Sequence, residues 1–114
     1  MGYDRKLAER IAHALKAEPG ISEREMFGGI GYMLQGNMAC GVINDEMIVR
    51  VGPDAWDQRL QEPGVHVFDM TGRTMRGWVV VEAQALANDA DLGLWIERAL
   101  AFVRTLPPKV KTSS

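Results

Sequence analysis

Arg50, Arg73 and Arg76, the histidines His13 and His66, the lone Cys40 and a glycine-rich run at 28–31 are where this sequence could do chemistry. The three arginines are candidates for an anion-binding patch. Arg50 falls on an otherwise apolar strand face, where an unpaired charge is costly; a structural ion pair or a rim charge is the plainer role. Tyr32, Arg50, Arg76 and Trp78 together outline a cleft for a small ligand or a partner. A reactive cysteine wants a cationic or helix-terminal setting, and Cys40 lies in mid-strand beside Met33 and Val49, so an inert buried thiol is expected. His66 and Asp69 are three apart on one strand and point to opposite faces. With two histidines and one cysteine, a closed zinc site would need carboxylates, and no ligand spacing supports one. The run Met26-Phe27-Gly28-Gly29-Ile30-Gly31 lacks the GxGxxG spacing and the GK[ST] signature of phosphate loops. It also leads into a strand rather than a helix, which reads as a bulge, a bend or close backbone packing. No catalytic residue, metal ligand or cofactor can be assigned on this basis.

The elements that must position these side chains follow from periodicity. Asp4 to about Glu18 carries Leu7, Ile11, Ala14 and Leu15 at helical spacing and stops at Pro19-Gly20. Glu25–Gln35, Met38–Ile43 and Glu46–Val51 read as a three-stranded meander, with turns at Gly36-Asn37 and Asn44-Asp45. On that register Cys40 faces Val49, Val42 faces Met47, and Tyr32 lies across from Gly41. One face then holds Met33, Cys40, Val42, Met47 and Val49. The other holds Ile30, Tyr32, Leu34, Ile43, Ile48 and Arg50. Both are apolar, so cover is expected on both sides. A short helix from Pro53 to about Gln61, two strands at Val65–Asp69 and Met75–Glu82, and a last helix ending near Leu106 complete the order α-βββ-α-ββ-α. The last helix presents Leu92, Trp95, Ile96, Ala99, Leu100 and Val103 as its stripe.

The chain has 114 residues, 46% apolar and 25% charged, with a net charge of −2. This suits one α+β domain, at 4–108, with a flexible tail at 109–114. Duplex DNA binders carry a basic excess or stripe; here Lys and Arg are scattered among acids, which argues against direct nucleic-acid binding. A single cysteine excludes an intrachain disulfide. The first six residues lack the apolar core of a signal peptide, and no apolar run is long enough to span a membrane. A cytoplasmic location is expected.

A set of motifs adds a resemblance. Met26-Phe27-Gly28-Gly29-x-Gly31, Met38-Ala39-Cys40-Gly41, Ile48-Val49-Arg50-Val51-Gly52, Asp69-Met70-Thr71-Gly72-Arg73, Met75-Arg76-Gly77-Trp78 and a helix closing on Leu106-Pro107-Pro108 resemble the TfoX N-terminal domain family of bacterial competence regulators. The resemblance covers about Asp4 to Pro108. It implies a two-layer α+β fold similar to secretion chaperones, a five-stranded antiparallel-type sheet backed by helices. It also implies a non-catalytic regulatory module acting through a protein partner in transcriptional control, and it transfers no catalytic residue. Full-length competence regulators resemble this chain in their first half and continue into a helical domain related to helix-hairpin-helix modules. Apart from the resemblance, two apolar sheet faces and too few helices to cover both lead to a further expectation. A homodimer would form through Ile30, Tyr32, Leu34, Ile43 and Ile48.

Overall fold

In the computed structural model of the chain, residues 2–26, 28–70 and 72–109 are described. Phe27 and Thr71 of the motifs above, and the tail beyond Lys109, lie outside the described residues. Helix α1 (Arg5–Leu15) starts at Asp4, whose carboxylate accepts the backbone N–H groups of Lys6 and Leu7 at 2.9 and 3.2 Å. That satisfies two of the four donors a helix start leaves open. Six strands follow the order β1 (Ile21–Met26), β2 (Gly29–Leu34), β3 (Asn37–Ile43), β4 (Glu46–Arg50), β5 (Val65–Met70) and β6 (Arg73–Val81). Helix α2 (Pro53–Arg59) separates β4 from β5, and a single 3-10 turn (Ala83–Leu86) leads from β6 to helix α3 (Asp89–Val103). All pairs are antiparallel in one open sheet of order β1-β2-β3-β4-β6-β5.

The sheet has six strands where five were expected. The extra strand is β1: most of it, Ile21–Arg24, precedes the expected strand Glu25–Gln35, and it turns back into β2 where Met26 pairs with Gly29. Its outer strand β1 reads Ile-Ser-Glu-Arg-Glu-Met and is exposed over Ser22–Glu25. It shows no apolar alternation because an edge strand need bury neither face, and its charges also guard that edge.

The β3–β4 register is the expected one: Cys40 pairs with Val49 and Val42 with Met47 across the Asn44-Asp45 turn. The β2–β3 register is not. The turn is Gln35-Gly36, both at positive φ (53° and 83°), so Leu34 pairs with Asn37 rather than Gln35 with Met38. Two adjacent left-handed residues match the twist of a tight hairpin, and Gly36 adopts that conformation without steric cost. Ala39 then bulges, and beyond it Tyr32 pairs with Cys40, one residue from the expected Gly41. A one-residue slip turns every side chain of a strand to the other face. Ile30, Tyr32 and Leu34 therefore leave the face assigned to them and join Cys40, Val42, Met47 and Val49.

That shared face is the core. Helices α1 and α3 lie on it, through Leu7, Ala8, Ile11 and Leu15 from α1 and the expected stripe Leu92, Trp95, Ile96, Ala99, Leu100 and Val103 from α3. The Tyr32 hydroxyl, at a residue 1% exposed, donates to the Ala8 carbonyl at 2.9 Å and ties β2 to α1. Asn88 caps α3 by accepting from the Ala90 N–H at 2.7 Å. The segment after α3 does not fray at once: Lys109 N–H donates to the Gln35 carbonyl at 2.7 Å, and the Asn37 side-chain amide donates to the Pro107 carbonyl at 2.9 Å. No helix among the described residues is long and apolar enough to cross a membrane.

Candidate functional site

Ile48 alternates with Met47 and Val49, so it faces away from the helices. It is 4% exposed yet does not belong to the helix-covered core. Its cover comes from other parts of the sheet. Met26 at the end of β1, Met38 and Ile43 on β3, and Phe68, Met75 and Trp78 on the β5–β6 hairpin surround it, leaving an apolar groove of about 160 Å³. Glycine lets the methionine walls lie close to the sheet. A Cβ on Gly31 would meet the Met38 and Met26 methyl groups at 3.1 and 3.3 Å, and one on Gly41 would meet the Met38 methyl at 3.0 Å. Two unbranched thioethers thus lie over strand positions that carry no side chain. Methionine adapts its shape more readily than branched residues do, so these walls can yield.

Arg50 is the next residue after Ile48 on that face and pairs with Trp78. Its guanidinium lies 5.2 Å from the Trp78 ring centre and 5.6 Å from that of Phe102, reaching from β4 to α3. Among the described residues its one hydrogen bond is a long one, 3.4 Å to the Met38 carbonyl. It forms no ion pair with a carboxylate among the described residues. Partial burial lowers its pKa from the ordinary arginine value, because desolvation disfavours the charged form. Two aromatic faces supply the compensation that an acid would otherwise provide. Of the two structural roles considered for Arg50, a rim charge therefore describes it.

The four residues expected to outline a cleft divide. Arg50 and Trp78 are in contact. Arg76 is exposed and lies over the Trp56 ring at 5.2 Å, and the Trp56 indole donates to the Trp78 carbonyl at 2.9 Å. Tyr32 is on the opposite, helix-covered face. Arg73 sits beside the β5–β6 turn, paired with Met70, so the three arginines have separate neighbours. Of the five residues expected on a dimer face, Ile30, Ile43 and Ile48 line the groove. Tyr32 and Leu34 are core residues for the register reason given above, and Ile30, at the groove's edge, belongs to the core as well. Cys40 is 1% exposed, and burial pushes its thiol up to about 12. The His66 ring lies 3.5 Å from Glu46 and 3.8 Å from Glu82 in an exposed setting, whereas Asp69 accepts from the Thr74 hydroxyl at 2.9 Å.

A wider, shallower concavity of about 490 Å³ lies between α1 and α3, lined by Lys6, Glu9, Arg10, His13, Asp89 and Leu92 among others. Arg10 is already committed there, to Asp89 and to the Leu86 carbonyl, each at 2.8 Å. The groove on the other face is lined by apolar side chains, with Arg50 outside it against Trp78 and Phe102. Phe68, Met75, Met38 and Met26 were missed as site residues. Methionine and phenylalanine on strands read as core, and only the packing of distant strands shows which face they cover.

Against known proteins, the family model of the TfoX N-terminal domain matches residues 13–103. No curated protein and no solved structure matches the chain.

Proposed function

The chain belongs to the TfoX N-terminal domain family, and from that premise we propose that it is a non-catalytic regulatory module that works through protein contacts made by the helix-free sheet face. The observation that carries this reading is the partly buried apolar groove around Ile48, formed by Ile43, Phe68, Met75 and Trp78 on the face that α1 and α3 leave open. An apolar groove on a sheet face is a place where a partner's side chains can dock. A second copy of the chain is the partner proposed first, because two-fold pairing is the commonest way to cover a self-complementary face. The module acts in the cytoplasm and in transcriptional control, as the family's competence regulators suggest. With a net charge of −2 it does so without gripping DNA itself.

Light scattering at tens of micromolar, an order-of-magnitude choice, should give twice the chain mass. Met75→Glu puts a charge on the rim of the face without entering the helix-covered core. It should return the mass to that of one chain while the circular dichroism spectrum is retained. A wild-type monomer at that concentration, or a dimer indifferent to Met75→Glu, removes self-association through this face.

A further inference from the structure

The helix-free face carries opposite charges at its two ends. At its centre Ile48 and Val80 are cross-strand partners, both buried and both outside the helix-covered core. Two residues away on the same side of each strand, by alternation, stand Glu46 at the start of β4 and Glu82 just after β6. Both carboxylates converge on His66 of β5, whose Nε2 lies 3.5 Å from Glu46 and 3.8 Å from Glu82. They are partly exposed, and neither meets an arginine or lysine among the described residues. Two residues from Ile48 in the other direction stands Arg50, which stacks on the Trp78 ring and has no carboxylate partner among the described residues. Along β4 the face therefore reads acid, apolar, cation: Glu46, Ile48, Arg50.

Such a face is complementary to itself in one orientation only. When two copies meet face to face, a two-fold axis running along β4 sets Glu46 over Glu46, like charge on like charge. An axis running across β4 above Ile48 reverses the second strand and sets Glu46 of each copy over Arg50 of the other, twice by symmetry. With a strand rise of about 3.3 Å, both residues stand about 7 Å from that axis. Packed sheets are about 10 Å apart and cross at about 30°, a gap that one arginine and one glutamate side chain bridge. We propose that a second copy docks on this face antiparallel, Ile48 above Ile48, with the Arg50 guanidinium of each copy on the Glu46 carboxylate of the other and Glu82 beside it. A guanidinium matches a carboxylate with two parallel N–H donors, and the rings of Trp78 and Phe102 already hold this one in place, so little ordering is left to be done on binding. The arrangement rests on the self-association reading above and deepens it: it supplies the orientation of the copies and the charge pair that selects it.

The test is sedimentation equilibrium of the full chain and its charge variants, which gives the dissociation constant of the pair. The double variant Glu46→Gln/Glu82→Gln removes the acids without touching the core and should weaken pairing about tenfold. In the other orientation the same variant would relieve a repulsion, so tighter pairing would overturn the proposal, as would no change. Arg50→Glu should weaken pairing as well, and Arg50→Glu combined with Glu46→Arg should bring back most of the loss, because the exchange restores opposite charges across the axis. A folded exchange variant that stays as weak as Arg50→Glu would also overturn it. The glutamine variant decides even if the Arg50 variants do not fold. A wild-type dimer that Met75→Glu dissociates and Glu46→Gln/Glu82→Gln leaves unchanged would sink this orientation while self-association through the face stands. A wild-type monomer would remove both.

Discussion

Cys40 and Tyr32 are cross-strand partners in the core, and both are held neutral by burial. The Cys40 thiol ionises at its ordinary 9.0 when unfolded but only at about 12 in the fold. Between those values the unfolded chain has lost a proton that the folded chain keeps. The thiol's stabilising contribution is therefore complete below pH 9 and falls as pH rises towards 12, by up to about 1.4 kcal/mol per pH unit. Tyr32, also raised, adds a loss of the same sign at higher pH. Urea denaturation from pH 8 to 10.5 should show this decline, and Cys40→Ala should flatten it from a lower starting stability. An unchanged slope in the variant would mean that the thiol is not buried as described. The inert setting of Cys40 was legible from its mid-strand position and the absence of charged neighbours. The burial of Tyr32 was not, because nothing local says which face of β2 its ring takes.

Among the elements, α3 is the one whose role its own periodicity states. Trp95 is 4% exposed in the middle of its stripe. On its outer side Arg98 lies 4.6 Å from the ring centre and donates to Glu62 at 2.9 Å, joining α3 to the segment between α2 and β5. Truncating a buried tryptophan removes contacts that the surroundings cannot replace. Trp95→Ala should cost about 3–5 kcal/mol on chemical denaturation, a large share of the roughly 5–15 kcal/mol of a small domain. A loss below about 1 kcal/mol would show that the ring is not packed. Strand β1 is the opposite case. With Glu23, Arg24 and Glu25 exposed, its strand character comes from hydrogen bonds to β2 and not from an apolar pattern, so periodicity passes over it.

At the scale of the molecule, helices α1 and α3 close one face of a six-stranded sheet, and the other face is covered around Ile48 by side chains of the sheet itself, Met26, Met38, Phe68 and Met75 among them. Its arginines are largely committed to carboxylates or rings: Arg10 to Asp89, Arg59 and Arg98 to Glu62, Arg104 to Glu18 and Glu97, Arg76 to Trp56. With thirteen basic against fifteen acidic residues, there is no basic excess to neutralise a phosphate backbone. A gel shift with duplex DNA at low salt should show no tight complex; binding that weakens steeply with added salt would reverse that reading. By itself the sequence determined the three helices, the α+β class, the β3–β4 register and the burial of Cys40, because helical spacing and the Asn44-Asp45 turn act over a few residues. Tertiary structure alone decided the side of the sheet on which Ile30, Tyr32 and Leu34 lie. Gly36 can form a tight turn with either neighbour, and the choice of Gln35 is made where the Tyr32 hydroxyl reaches Ala8 and the Asn37 amide reaches Pro107. Those partners are 24 and 70 residues away along the chain. The groove was hidden for the same reason, since strands β1, β3 and β6 must first be brought together before Met26, Met38 and Trp78 surround Ile48.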